Sequence, residues 1–171
     1  MSLILKNRTT FNSLYELDKS CFTKKNETLV NANKVYPNVG ADVEVNQIGG
    51  VLGGSVAAVK VGEGAKNYTV YPADGTATTK AIGLFVNNAF GNPFDNSPAV
   101  ASNKIAIAQK LASVEVDVYE GEVSDYKIGD KLYASANGYL TKTKGADETV
   151  IGIVTKVPSA SDPFLGLEML I

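Results

Sequence analysis

The chain has 171 residues, 44% of them hydrophobic and 20% charged, with a formal net charge of -2. That composition suits one ordinary globular domain, long enough to bury a core without disulfides or structural metal. There is no histidine and a single cysteine, Cys21, which excludes Ser-His-Asp and Cys-His catalysis, histidine metal sites and an intrachain disulfide.

Residues 1–34 carry six basic groups (Lys6, Arg8, Lys19, Lys24, Lys25 and Lys34) against Glu16, Asp18 and Glu27, while the remainder carries ten lysines against fifteen acids. This asymmetry is either scatter or a basic arm that meets an acidic surface. Arg8 is the only arginine. Specific nucleic-acid readers rely on bidentate arginine contacts, so no specific DNA or RNA partner is expected. Met1–Leu5 gives way at once to Lys6, Asn7 and Arg8, too short for a signal sequence. The stretch Ile48–Val59 is broken by four glycines and falls short of the ~20 residues of a spanning helix. No membrane association is expected, and synthesis in a cytoplasm without export follows.

Leu3, Ile4 and Leu5 are consecutive apolar residues near the terminus. They are either an anchor that adds to a partner's exposed strand edge or the first strand of the protein's own sheet. Ser13-Leu14-Tyr15-Glu16 fits a capping box and predicts a short helix to about Lys19. Residues 22–47 lack clear periodicity and read as extended. Residues 1–47 are therefore expected to form an arm or small subdomain, and residues 48–171 a β domain.

From residue 48 onward the dominant period is two. Val114, Val116 and Val118 fall on one face, with Glu115 and Asp117 on the other, which predicts a half-buried strand with its acids in solvent. Lys104–Gln109 repeats the pattern through Ile105 and Ile107, and Val56–Val61, Asn67–Tyr71 and Ala81–Val86 read alike. Phe90–Ser102 is turn-rich. Its aromatics Phe90 and Phe94 either fold back over a barrel end or contact a protomer or partner. Near the C-terminus, strands at Lys131–Ser135, Tyr139–Thr143, Thr149–Val157 and Leu165–Ile171 are expected to form a meander, with Asn137-Gly138 as the first hairpin turn. The fold class that follows is all-β, a small antiparallel β-barrel or β-sandwich with an extended, mostly non-helical N-terminal arm.

Sites for chemistry are not apparent. Gly49 and Gly54 have the outer spacing of a phosphate loop, but Ser55 and Val56 stand where Lys and Ser/Thr are needed. Gly62-Glu63-Gly64 is half of a dinucleotide fingerprint, between two strands instead of opening a helix. Glu115, Asp117, Glu120, Glu122 and Asp125 read as a solvated acidic face, and Cys21 as a small buried apolar residue. No catalytic residue, cofactor or metal is expected.

The stretch from Tyr126 to Ile171 carries Gly129, Asp130, Leu132 and Tyr133, then Gly138 and Leu140, then Val150, Ile151, Gly152, Ile153 and Val154. This pattern resembles the C-terminal part of tailed-bacteriophage capsid decoration proteins, also called cement or head-stabilising proteins. The resemblance extends loosely from Ala81 onward. It implies a non-enzymatic structural virion protein on the capsid surface, made in the host cytoplasm. The implied partners are the major capsid protein and other copies of the chain, as a homotrimer or another homo-oligomer. Leu3, Ile4, Leu5, Arg8, Phe90 and Phe94 are the candidate capsid or protomer contacts. Two alternatives are a tail-tube, baseplate or head-fibre-base component, and a small all-β carbohydrate-binding module or enzyme.

Overall fold

The computed structural model describes residues 3–5, 13–18, 21, 50–90, 104–110 and 112–171. These are nearly all β. In chain order the strands are β1 (Leu3–Leu5), β2 (Ser13–Leu17), β3 (Gly50–Val51), β4 (Val56–Lys60), β5 (Thr69–Pro72), β6 (Thr79–Phe85), β7 (Ala89–Phe90), β8 (Lys104–Ala108), β9 (Ser113–Val116), β10 (Lys131–Ala134), β11 (Leu140–Thr141), β12 (Gly152–Lys156) and β13 (Leu165–Met169). Strands β2-β5-β4-β6-β8 close into a barrel. A six-stranded sheet of order β1-β9-β13-β12-β10-β11 packs beside it, and β3 pairs with β7 in a small ribbon.

Two apolar clusters fill this arrangement, and the strand period explains both. Leu17, Ala57, Val70, Phe85, Ile105 and Ile107 form the barrel interior, joined by Val51 and Ala89 of the ribbon. Val56, Ala58, Ala81, Leu84 and Ala108 belong to the other cluster, with Val114, Val116, Leu132, Leu140, Ile151, Val154, Leu165 and Leu167 of the six-stranded sheet. Successive side chains of a strand point to opposite faces, so β4 sends Val56 and Ala58 one way and Ala57 the other. The strand is buried on both sides, and small alanines let two layers approach it.

Strand β6 obeys the same demand only because it carries a bulge. Ala57 of β4 faces Gly83 and Ala58 faces Ala81, so Ile82 is an extra residue in the ladder. Strict alternation from Ala81 would turn Leu84 into the barrel and Phe85 out of it. The bulge inverts the phase, placing Leu84 in the outer cluster and Phe85 in the barrel. Gly83 is required here by a close approach. A Cβ at this position would lie 2.3 Å from the Ala108 carbonyl oxygen and 2.6 Å from Ile107 Cγ2.

Several expectations are corrected. Ser13–Leu17 is a strand, not the start of a helix. Strand β2 bonds to β8 on one side and β5 on the other, completing the barrel. A helix there would leave two barrel edges unpaired, and that cost outweighs a local capping box. The β2–β5 pair is parallel, so the barrel is not wholly antiparallel. The C-terminal meander is also wrong in its order. β12 pairs with β10, not with its chain neighbour β11. Strand β11 is two residues long, and its other edge is taken by Val118–Glu120 through the Tyr119–Leu140 bridge, so the returning chain pairs with the other edge of β10. At the hairpin, Gly138 alone adopts positive φ, at 74°. Its carbonyl accepts the Val56 amide at 2.8 Å and so fastens the turn to the barrel.

Replacing Gly83 by alanine should destabilise the protein by about 2–3 kcal/mol, the upper part of the range for overpacking a tight interior. Urea unfolding of the variant and parent measures this. An unchanged midpoint would show that the bulge has slack the contacts do not reveal.

Candidate interaction surface

Three carboxylates fasten the loops to the body. Asp147 is fully buried. It accepts the Ala81 amide at 2.8 Å, the Thr149 hydroxyl at 2.7 Å and the Thr149 amide at 3.2 Å, and pairs with Lys80 at 3.2 Å. Burial by itself would raise its pKa. The hydrogen bonds from Thr149, Ala81 and Lys80 outweigh that and hold it below the ordinary carboxylate value. Asp74 follows the same rule: burial raises it, and Thr79 and Thr76 together hold it low. Its Oδ1 accepts the Thr79 hydroxyl at 2.6 Å and the Thr76 hydroxyl at 2.8 Å. Asp18, at the end of β2, is buried and takes Lys66 Nζ at 2.9 Å. That contact, the hydrogen bond first and the charge second, raises the Lys66 pKa. Among the described residues, every buried side-chain nitrogen and oxygen has a hydrogen-bond partner.

The acidic face is less solvated than its alternation suggests. Val114, Val116 and Val118 are buried together, as their spacing predicts. Glu115, however, has a side chain only 12% exposed and pairs with Lys156 at 3.1 Å. Strand β9 lies between β1 and β13 in the sheet, so its outer face is flanked on both sides. Lys156 reaches Asp162 as well, at 2.7 Å, tying the β12–β13 connection to the same place. Asp117 is half-buried. A half-open pocket of about 170 Å³ lies beside Glu120, Asp125, Tyr126 and Lys142. Its polar groups already serve the fold. The Tyr126 hydroxyl donates to the Glu120 carbonyl, Asn137 donates to Glu120 Oε1 at 2.9 Å, and Lys142 Nζ donates to the Asp125 carbonyl at 2.6 Å. Among the described residues, no group of three or more Cys, Asp or Glu is placed to hold a metal ion.

The candidate contact residues fall in different places. Leu3, Ile4 and Leu5 form β1, paired antiparallel with Val116, Glu115 and Val114 of β9. They are the first strand of the protein's own sheet, and Leu3 packs against the larger cluster. Phe90 lies in β7 opposite Gly50. Arg8, Phe94, the lysines of the proposed basic arm, the extended reading of residues 22–47 and all of the Phe90–Ser102 loop beyond Phe90 lie outside the described residues. Cys21 is half-buried against the barrel interior. The glycine stretch before β4 is a turn, with Gly54 at φ 91° and the Ser55 hydroxyl on the Leu52 carbonyl at 2.6 Å.

Among the described residues, the large exposed apolar side chains are Val61, Tyr68, Ile128, Val157 and Leu170. Val61 and Tyr68 bound the β4–β5 loop, and all eight residues from 61 to 68 are exposed. Tyr68 is 82% exposed and has φ 56°, a left-handed conformation that an aromatic residue rarely adopts. Residue order placed Gly62-Glu63-Gly64 between two strands but indicated neither the exposure of Tyr68 nor the carboxylate clamps. Asp74-Gly-Thr76 and Asp147-Glu-Thr149 do carry a legible signal, the Asp-x-Thr spacing of side-chain-to-backbone turns. Tyr68 has none, because exposure and left-handed backbone are not written in residue type.

No protein-family model matches the chain, and no curated protein matches it significantly.

Two outcomes follow. Deleting residues 2–10 removes β1 from β9 and should lower Tm by roughly 3–8 °C, the shift that about 1–2 kcal/mol produces in a chain of this size; differential scanning calorimetry decides it, and an unchanged Tm would mean that β1 adds no stability. The clamps make the fold acid-sensitive. The folded pKa values of Asp74 and Asp147 lie below those of the unfolded chain. Their stabilisation is complete above the unfolded value of about 4 and is lost as pH falls through the lower folded values. Thermal melts should therefore show Tm falling steeply below about pH 4. In Asp147→Asn the Tm should be lower at neutral pH and the acid slope shallower.

Proposed function

We propose that this protein is a structural component of a tailed-phage virion that binds the outer surface of the capsid and stabilises it by adhesion, without catalysis. The observation that carries this reading is the C-terminal pattern shared with capsid decoration proteins. Its apolar positions Leu132, Leu140, Ile151 and Val154 are all buried in the larger cluster, and its Gly152 sits where a Cβ would meet the Glu168 carbonyl oxygen at 2.6 Å. The pattern is therefore a packing requirement of this sheet as well as a string of turn residues. Further support comes from how the polar groups are used: buried carboxylates and hydroxyls are committed to fixing loops. A frame whose loops are fixed by buried hydrogen bonds suits an adhesive role, because little conformational freedom is lost when it binds. Attachment as a homotrimer or other homo-oligomer would multiply weak contacts with the major capsid protein.

Mixing the purified protein with undecorated capsids of the cognate phage tests this reading. Negative-stain imaging and co-sedimentation should show regular surface decoration, and decorated shells should withstand heating better than bare ones. Absence of decoration, together with binding or hydrolysis on a glycan panel, would replace this reading with the carbohydrate-directed one.

A further inference from the structure

The connection between β11 and β12 is exposed at residues 142–146 and 148, yet Asp147 in the middle of it is fully buried. Among the described residues, Asp147 makes every hydrogen bond and ion pair that joins residues 144–150 to the rest of the molecule. Its amide donates to the Gly75 carbonyl at 3.1 Å, its Oδ2 accepts the Ala81 amide at 2.8 Å and its Oδ1 pairs with Lys80 Nζ at 3.2 Å. The other bonds of this segment close on itself: Thr149 donates to Asp147, and Lys144 pairs with Glu148 at 2.8 Å.

The two ends of the connection are fixed independently of that pin. Thr141 belongs to β11. Ile151 donates its amide to the Leu132 carbonyl at 2.8 Å and is buried in the larger cluster. A segment with an exposed backbone and few buried apolar contacts opens locally at lower cost than the sheet behind it. What the pin holds is a gap in the ladder of β6. Strand β8 pairs with β6 only at Leu84 and Phe85. Nearer the start of β6, the Ala81 amide is taken by Asp147 and the Ile82 carbonyl by Gln109 Nε2 at 3.1 Å. The groups facing the Asp147 carboxylate are an ammonium, two amides and a hydroxyl that donates to it. An ionised carboxylate accepts from all of them, whereas a protonated one gains a donor of its own and loses the charge that attracts Lys80.

We propose that residues 142–150 are an acid-released strap, latched by the Asp147 carboxylate and opening as a unit while both apolar cores stay closed. The other ionisable groups around it are Lys80 on β6, Asp74 in the β5–β6 turn, Tyr133 on β10, and Lys142, Lys144 and Glu148 on the strap itself. Carboxylates are the groups that change charge in acid. Asp74 bonds within its own turn, to Thr76 and Thr79, and Glu148 pairs within the strap, so Asp147 is the acid that joins strap to body. The latch does not depend on the capsid-binding reading.

Two measurements on the full-length protein test it. Lys142 and Lys144 are exposed tryptic sites on the strap, whereas Lys131 and Lys156 lie in strands β10 and β12. In Asp147→Ala, limited trypsin digestion at neutral pH and well below Tm should cut after Lys142 and Lys144 at least about tenfold faster than in the parent, the change that loss of one charged hydrogen bond produces. Cleavage after Lys131 and Lys156 should be unchanged. Equal rates on the strap, or acceleration at all four sites together, would overturn the latch. Hydrogen exchange in the parent between pH 5 and pH 3, corrected for the intrinsic pH dependence, decides the matter even if that variant does not fold. The Ala81 and Asp147 amides should lose protection while the Ile151 amide keeps it. Loss at all three together would mean that acid unfolds the sheet and that no separate strap exists.

Discussion

Strands β4 and β6 must satisfy two apolar cores at once, and the rest of the fold is arranged around that demand. One face of each closes the barrel and the other receives the six-stranded sheet. Hydrophobic burial is proportional to area removed from water, so strands buried on both faces carry an outsized share of the stabilisation. They are also the least tolerant of a change in phase. The bulge at Ile82–Gly83 resolves the conflict between a straight two-residue period and the two clusters it must feed. The barrel is narrow enough to be filled by its own side chains, which is why Phe85, Leu17 and the isoleucines of β8 meet inside it.

Long connections then have to be secured to this frame, and carboxylates do it. Asp147 binds Ala81 at the start of the shared strand β6 and stops the chain between β11 and β12 from lifting away. Asp74 organises the β5–β6 turn, and Asp18 ties the end of β2 to the β4–β5 loop. A buried carboxylate is costly unless it is well bonded. Here each is matched by amides, hydroxyls or a lysine, so the cost is offset and the loops gain a single arrangement. The same bonds that lower the acids' pKa values rigidify the loops that a binding surface would use.

An adhesive role makes specific demands of such a frame. Attachment in many copies needs a body that does not deform and a small number of protruding contacts. The β4–β5 loop protrudes from the frame, exposing Val61 and Tyr68 at its ends and Glu63 and Lys66 between them. Strand β1 does not present a free adhesive tripeptide, since Leu3–Leu5 is already paired with β9.

Period-two alternation around Val114, Val116 and Val118, the isoleucines of β8 and the glycine-marked turns were legible from residue order. They depend on neighbours along the chain, and a strand's two faces differ in polarity wherever one is buried. That much determined an all-β protein and most strand positions from Val56 onward, but not β7, whose Phe90 the residue order places in a turn-rich stretch. The fate of Ser13–Leu17 was not legible, because a local capping preference competes with pairing to β5 and β8, residues far away in the chain. Nor was the placement of β12 beside β10, which follows from Val118–Glu120 occupying the other edge of β11. The ion-paired burial of Glu115 came from strands on both sides of β9, and the exposure of Tyr68 from a loop held out by contacts to Glu16 and Asp18. Each of these is a long-range pairing, and residue order carries the period of a strand but not the identity of its neighbours.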